Sequence, residues 1–376
     1  MYYYSWRGIV VSYFEELEVQ KYINAHDTRT VYGGSRMSRE TLAAMNEASE
    51  HFVDYAELQR KAGEKIAELT HNEAAYVCNG SSGGIMTAAA VCMTGDSFFR
   101  YRELPAPAEG TKTEFIVFRC QHNAYDKSIE AAGGKIVYIG DADETLDFEL
   151  DGKINSNTAG VFYFDPVIYA KASMSFEKTI EIAHRHGVPV IVDAAAQLPP
   201  AENLWKYTEM GADMAIFSGG KTLAGPQNSG LILGKKEYID LCLKFGAPEH
   251  GVLRSCKTSR EDIAGLYAAL RQYLALDEQE EFARLYHICE RIADAAGDLR
   301  GIQKTEIVNY GAVGQTYPRV FMYFENNEQV RDLVQYMRDH HIFIGDDYFN
   351  MAAYISPLGL NEAETEIVIQ ELKKHQ

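Results

Sequence analysis

The chain has 376 residues, of which 46% are hydrophobic, 24% charged and 11% aromatic. That balance excludes a disordered, collagen-like or coiled-coil chain and allows a sizeable core in two domains, or in one large domain with a smaller partner. With 36 Lys and Arg against 54 Asp and Glu the net charge is −18, and no basic cluster offsets it, so nucleic acid is excluded as an expected partner.

The six cysteines (Cys78, Cys92, Cys120, Cys242, Cys256 and Cys289) are well separated and show neither zinc-ligand nor CxxC spacing. No metal site is expected, and reduced thiols in a cytoplasmic protein are. The start, MYYYSWRGIVVSYFEELEVQ, lacks a basic stretch followed by an apolar one. The apolar run 84–93 is too short to span a bilayer, so no membrane partner is expected.

Along the chain, residues 38–69 mix charged and apolar side chains at helical spacing, and Ser38 is a plausible N-cap. Short apolar runs then alternate with helical stretches: AAYVC (74–78), FIVFRC (115–120), KIVYIG (135–140), AGVFYF (159–164), VPVIVDA (188–194), DMAIFSG (213–219) and SGLILG (229–234). Such runs predict buried strands of a mostly parallel sheet with helices on both faces, an α/β domain. Past residue 250 the pattern changes. Residues 259–300 predict one or two helices; strands at 317–324, 341–347 and 351–357, a helix near 329–339 and a last helix from Asn361 follow. The expected division is an N-terminal arm (1–30), a large domain (31–250) and a small α+β domain (251–376).

In an open α/β sheet the carboxyl ends of the strands open into the ligand crevice. The run VPVIVDA ends near Asp193, and DMAIFSG runs into Ser218-Gly219-Gly220-Lys221, so an acid and a lysine 28 positions apart can face one ligand. The plainer account is a helix-capping Asp193 and a solvated Lys221. A third feature weighs against it. AAYVC leads into Asn79-Gly80-Ser81-Ser82-Gly83-Gly84 and an apolar helix, a small-residue turn that offers free N–H groups and hydroxyls to a phosphate. A phosphate turn, a carboxylate and a lysine in that order describe a pyridoxal-phosphate (PLP) site of fold type I. Gly220-Lys221-Thr222 ends like a nucleotide-binding P-loop, but Ala215 stands at the leading glycine position.

FSGGKTLAGPQNSGLILGKK (217–236) resembles the lysine segment of the selenocysteine synthase-like family, related to the class V aminotransferases. TVYGGSRMSRETLAAM (30–45), FVDYAELQRKAGEKIAELT (52–70), VDAAAQLPP (192–200) and SREDIAGLYAALRQYL (259–274) resemble it too. The resemblance implies that Lys221 is the Schiff-base lysine and Asp193 the partner of the pyridine nitrogen. It makes His122 a ring-stacking residue and Gly80, Ser81, Ser82 and Ser218 the phosphate cradle. Gln197 would bond the cofactor's phenolic oxygen, although it follows the aspartate by four residues where relatives have three.

The family includes lyases such as the one that removes ammonia from D-glucosaminate 6-phosphate, so the expected reaction is α,β-elimination from a small amino acid or amino sugar acid, giving a 2-oxo acid and ammonia. Transamination, racemisation and aldol cleavage stay open, as does a non-catalytic binding role; selenium transfer on tRNA is disfavoured by the charge and by a missing N-terminal region. Arg36, Arg254 and Arg319, with Lys257, are the candidates to hold the substrate carboxylate. MAAYISPLGL (351–360) lacks the arginine that many relatives carry there. The resemblance also implies a homodimer or larger homo-oligomer, with Tyr-rich segments such as MYYYSW and NAHDTRTVY as candidate contacts.

Overall fold

The computed structural model describes residues 12–165, 171–311 and 313–375; MYYYSW lies outside them. The chain divides into two compact units, one of Gly33–Leu276 with Ala312–Thr316, the other of the segment up to Tyr32 with Asp277–Gly311 and Tyr317–Gln376.

Among the described residues the larger unit is built on seven strands: β1 (Ala74–Asn79), β2 (Glu114–Phe118), β3 (Lys135–Ile139), β4 (Thr158–Phe164), β5 (Val190–Asp193), β6 (Met214–Ser218) and β7 (Ser229–Gly234). Each coincides with one of the seven apolar runs. Their order is β1-β7-β6-β5-β4-β2-β3, with β7 antiparallel to both neighbours and the other pairings parallel. Alternate residues pack into apolar clusters on opposite faces, Val190, Val192 and Phe217 on one and Ile191, Ile216 and Phe162 on the other. A strand covered on both faces reads as a continuous apolar run rather than an alternating one, which is why β4 is buried throughout. The helix Gly80–Thr94, with Ala88, Ala89 and Ala90 fully buried, is small enough on every side to lie against this sheet.

The helix Arg260–Leu274 belongs to the larger unit, because Ile263, Leu266 and Leu270 join its core. The division therefore falls later in the chain than the change of pattern near 250, since a helical stripe does not reveal which sheet it will cover. The smaller unit carries an antiparallel sheet of Gly345–Asp347, Ala352–Ile355, Arg319–Phe324 and Ile302–Val308 with helices Glu278–Ala296, Asn327–Asp339 and Glu362–Lys374. Ile302–Val308, whose Gln303 and Lys304 are exposed, carried no apolar run and was not expected. The segment before Tyr32 joins this unit: Ile23–Asn24 pairs with Ile342–Phe343, and Ala25 accepts the Ser356 N–H at 2.8 Å.

Candidate active site

Asp193 is the last residue of β5, in register with Phe164 of β4 and Ile216 of β6, so its side chain stands at the carboxyl edge of the parallel strands. The Ala195 N–H donates to its Oδ1 at 3.0 Å. Burial pushes the Asp193 carboxyl above the usual range; the Lys221 ammonium and the Ala195 N–H pull the other way. Lys221 thus lies within electrostatic reach of Asp193.

The Lys221 loop joins β6 to its antiparallel neighbour β7 and is held at several points. Gly219 donates to the Ser229 carbonyl at 2.8 Å, and Gly225 donates to the Gly219 carbonyl at 2.8 Å. The Thr222 hydroxyl donates to the Leu198 carbonyl at 2.8 Å, tying this loop to the one that follows Asp193. The Gly220 carbonyl accepts from both the Ser35 N–H at 3.2 Å and the Ser35 hydroxyl at 3.0 Å. That contact seats the Gly33-Gly34-Ser35-Arg36 turn beside the lysine and brings Arg36 to the same locality. Gly34 has φ +74°, and a Cβ there would overlap the Gln227 side chain and stand 2.7 Å from the Gly220 carbonyl oxygen. Gly34→Ala is therefore expected to cost about 1–3 kcal/mol and to displace the lysine loop, read as a lower thermal midpoint and as proteolysis near residue 221.

The helix Gly80–Thr94 starts directly at the end of β1, with Gly80 at φ +61°. Asn79 gives it no side-chain cap and instead donates to the Lys257 carbonyl at 3.1 Å. Gly84 lets this helix sit on β6, since a Cβ there would come 2.7 Å from Ile216 Cγ2, two residues before Ser218. Arg254, on the short helix Val252–Cys256, and Lys257 are exposed beside this turn. His122 follows β2, two strand spacings, or about 10 Å, from β5. Its Nδ1 meets Asp126 Oδ2 at 2.5 Å.

Two expectations meet competing contacts. Arg319 is only 3% exposed and pairs with Asp27 at 2.9 Å, its guanidinium lying 3.9 Å from the Tyr317 ring centroid. Its charge is neutralised inside the smaller unit, and a substrate carboxylate would have to displace Asp27. The Gln197 Nε2 donates to the Asp165 carbonyl and, at 2.7 Å, to the Val313 carbonyl. Both amide hydrogens are engaged by backbone, so the bond expected from Gln197 to a phenolic oxygen has no donor.

Asp165 was not anticipated. It follows β4 as Asp193 ends β5, and its N–H donates to the Asp193 carbonyl at 3.3 Å; an acid at the end of AGVFYF was the signal that could have found it. Burial raises its carboxyl above the usual value of 3.8, against the Tyr207 hydroxyl that donates to it at 2.6 Å. A carboxyl with a raised folded-state value contributes stability that is present below 3.8 and lost as pH rises through the folded value. Asp165→Asn keeps an acceptor for Tyr207 and removes the buried charge. The variant should melt above the parent at a pH of about 8, with the gap closing towards a pH of about 4.

The fold and this arrangement define a fold-type I PLP-enzyme architecture. The chain belongs to the SelA family: the model for L-seryl-tRNA selenium transferase matches residues 54–295. It is 30% identical over 298 residues to the D-glucosaminate-6-phosphate ammonia lyase of Salmonella typhimurium, covering 78% of each chain. It is 29% identical over 297 residues to a 5'-C-glycyluridine monooxygenase-decarboxylase of a Streptomyces species, covering 77% of this chain and 72% of that one. With the L-seryl-tRNA(Sec) selenium transferase of Desulfovibrio desulfuricans the identity is 27%, over 62% of this chain and 49% of that one. The solved structure of a D-glucosaminate-6-phosphate ammonia-lyase superposes with a TM-score of 0.84 at 26% identity, covering 98% of both chains. A Sphingomonas wittichii serine palmitoyltransferase shares the fold, with a TM-score of 0.63 at 12% identity. These likenesses support an enzyme of lyase type.

Proposed function

We propose that the chain is a PLP-dependent lyase that eliminates a β-substituent from a small amino acid or amino sugar acid, releasing a 2-oxo acid and ammonia. The observation that carries this reading is the placement of Asp193, at the end of β5, within electrostatic reach of Lys221, just past the end of β6, in the same unit as a helix start that its N-cap residue Asn79 does not cap. The donor set fits the cofactor: an amine for its aldehyde, a carboxylate for its ring nitrogen and a helix N-terminus for its phosphate. When bound, the cofactor supplies the sink for the electron pair left at Cα.

Lys221 would anchor the cofactor and, once displaced by the substrate amine, take the Cα proton on its Nζ. Asp193 would hold a proton on the ring nitrogen. Ser81, Ser82, Ser218 and the helix start at Gly80 would grip the phosphate, and His122 would lie against the ring. Arg36, near the lysine, is the first candidate for the substrate carboxylate; Arg254 and Lys257, beside the helix start, are the further cations. We read the protein as a cytoplasmic homo-oligomer; among the described residues no helix is long and apolar enough to cross a membrane.

An absorbance spectrum before and after borohydride reduction, followed by peptide mapping, tests the cofactor and its anchor. A near-visible band that moves on reduction, with the label on Lys221, is expected; no band after addition of pyridoxal phosphate would overturn the reading. The likeness to the glycyluridine enzyme favours a second reading, decarboxylation of a nucleoside-bearing amino acid. Release of ammonia and a 2-oxo acid without oxygen uptake separates the two.

A further inference from the structure

His122 is held from one side by a pair of residues that the cofactor chemistry does not itself require. Its ring is exposed, with 52% of the side chain accessible, whereas Asp126 is fully buried at 0%. Asp126 Oδ2 is the common point of the cluster: His122 Nδ1 lies 2.5 Å from it and the Tyr138 hydroxyl 3.0 Å. The Tyr138 oxygen is also 2.9 Å from His122 Nδ1. Tyr138 belongs to β3, and its ring meets the imidazole edge-on, with centroids 5.2 Å apart and planes at 71°.

The proton positions follow from what each atom is able to do. Two hydrogen-bonding groups converge on Oδ2, so that oxygen is an acceptor from both. Tyr138 donates its hydroxyl proton to Oδ2; burial and the Asp126 charge push its phenol up to about 12, which keeps that proton in place. Nδ1 must then carry the other proton, donated to Oδ2 with the Tyr138 oxygen as a second acceptor. The remaining oxygen, Asp126 Oδ1, is buried with no hydrogen-bond partner among the described residues.

We propose that Asp126 and Tyr138 are positioning residues that lock His122 in the Nδ1–H tautomer and leave its Nε2 lone pair as a proton acceptor. The hydrogen bond at one imidazole nitrogen sets the state of the other. The tautomer follows from the contacts alone. A contribution to turnover, as an acceptor beside the cofactor ring, rests on the function proposed above.

The test is nitrogen NMR of the full-length protein labelled with 15N-histidine, at a pH where the imidazole is neutral, with the His122 signals identified by their loss in His122→Gln. In the parent protein His122 should show a protonated Nδ1 and an unprotonated Nε2. Asp126→Asn presents an amide that can donate to Nδ1, and the Nε2–H form should rise on the order of tenfold. Tyr138→Phe keeps the ring packing and removes one contact, so a smaller change in the same direction is expected. In the loaded enzyme Asp126→Asn should lower kcat on the order of 10²-fold while KM moves far less. An Nε2–H tautomer in the parent overturns the proposal, as does an unchanged tautomer ratio in both variants. If Asp126→Asn does not fold, an unchanged ratio in Tyr138→Phe suffices to overturn it. Absence of a cofactor band would remove the reading of function and leave the tautomer result standing.

Discussion

Lys221→Ala is expected to abolish the borohydride-fixed label and to lower turnover by at least about 10⁴-fold, because in the proposed mechanism it removes the covalent anchor and the Cα base together. The fold should survive. The turn around the lysine is closed by backbone bonds, Ala224 N–H to the Lys221 carbonyl at 2.9 Å and Gly225 N–H to the Gly219 carbonyl at 2.8 Å, and none of them uses the side chain. The Lys221 ammonium also restrains the rise of the Asp193 carboxyl, so its loss should lift that carboxyl further. Normal turnover in the variant, or a label that persists elsewhere, would remove Lys221 from the mechanism.

Asp193→Ala has the second largest expected effect. Cofactor should still bind through Lys221 and the helix start, while Cα proton removal slows on the order of 10²–10³-fold, the scale of losing one preorganised charge at a reacting group. In the proposed mechanism the carboxylate acts only when ionised. Since burial sets its proton affinity above the usual value of 3.8, parent activity should decline on the acid side at a pH above that figure, and the variant should lose this limb of the profile. Single-turnover measurement of substrate Cα–deuterium exchange across pH checks both points. An unchanged rate would mean that another carboxylate serves the ring nitrogen, and Asp165 at the end of β4 would be examined next.

The placement of Asp193 at a strand end and of Lys221 just past one was legible in the sequence for a physical reason. Strands covered on both faces are written as apolar runs, so a polar residue at the end of a run marks the carboxyl edge of the sheet without further information. The same logic located the turn at Asn79-Gly80-Ser81-Ser82, where β1 passes into the helix Gly80–Thr94. What escaped were contacts between distant parts of the chain. Ser35 reaches Gly220 across 185 residues, and Arg319 reaches Asp27 across 292. No periodicity encodes such pairs, so an arginine committed to a buried ion pair and one near the lysine loop looked alike. Gln197 illustrates a subtler loss: its position is near the expected one, but which way its amide hydrogens are spent depends on the carbonyls of Asp165 and Val313. Asp126 and Tyr138 are closer in sequence, 12 residues apart, yet only the pairing of β3 with β2 reveals that they share one oxygen with His122.

The strand order carries a last consequence, for the sequence of events when the molecule loosens. β5 and β6, which present Asp193 and lead to Lys221, are bonded to neighbours on both sides, whereas β1 and β3 end the sheet, and of these two β3 is the less buried. Fraying starts where a strand has one neighbour, and the centre opens only at a free energy nearer that of global unfolding. Under mild denaturant the amides of β3 should therefore exchange with solvent first, releasing Tyr138 and with it the grip on His122. A partially opened population would keep its lysine and carboxylate in place yet have a disoriented imidazole, so retention of the chromophore and catalytic competence would part company well before the protein melts.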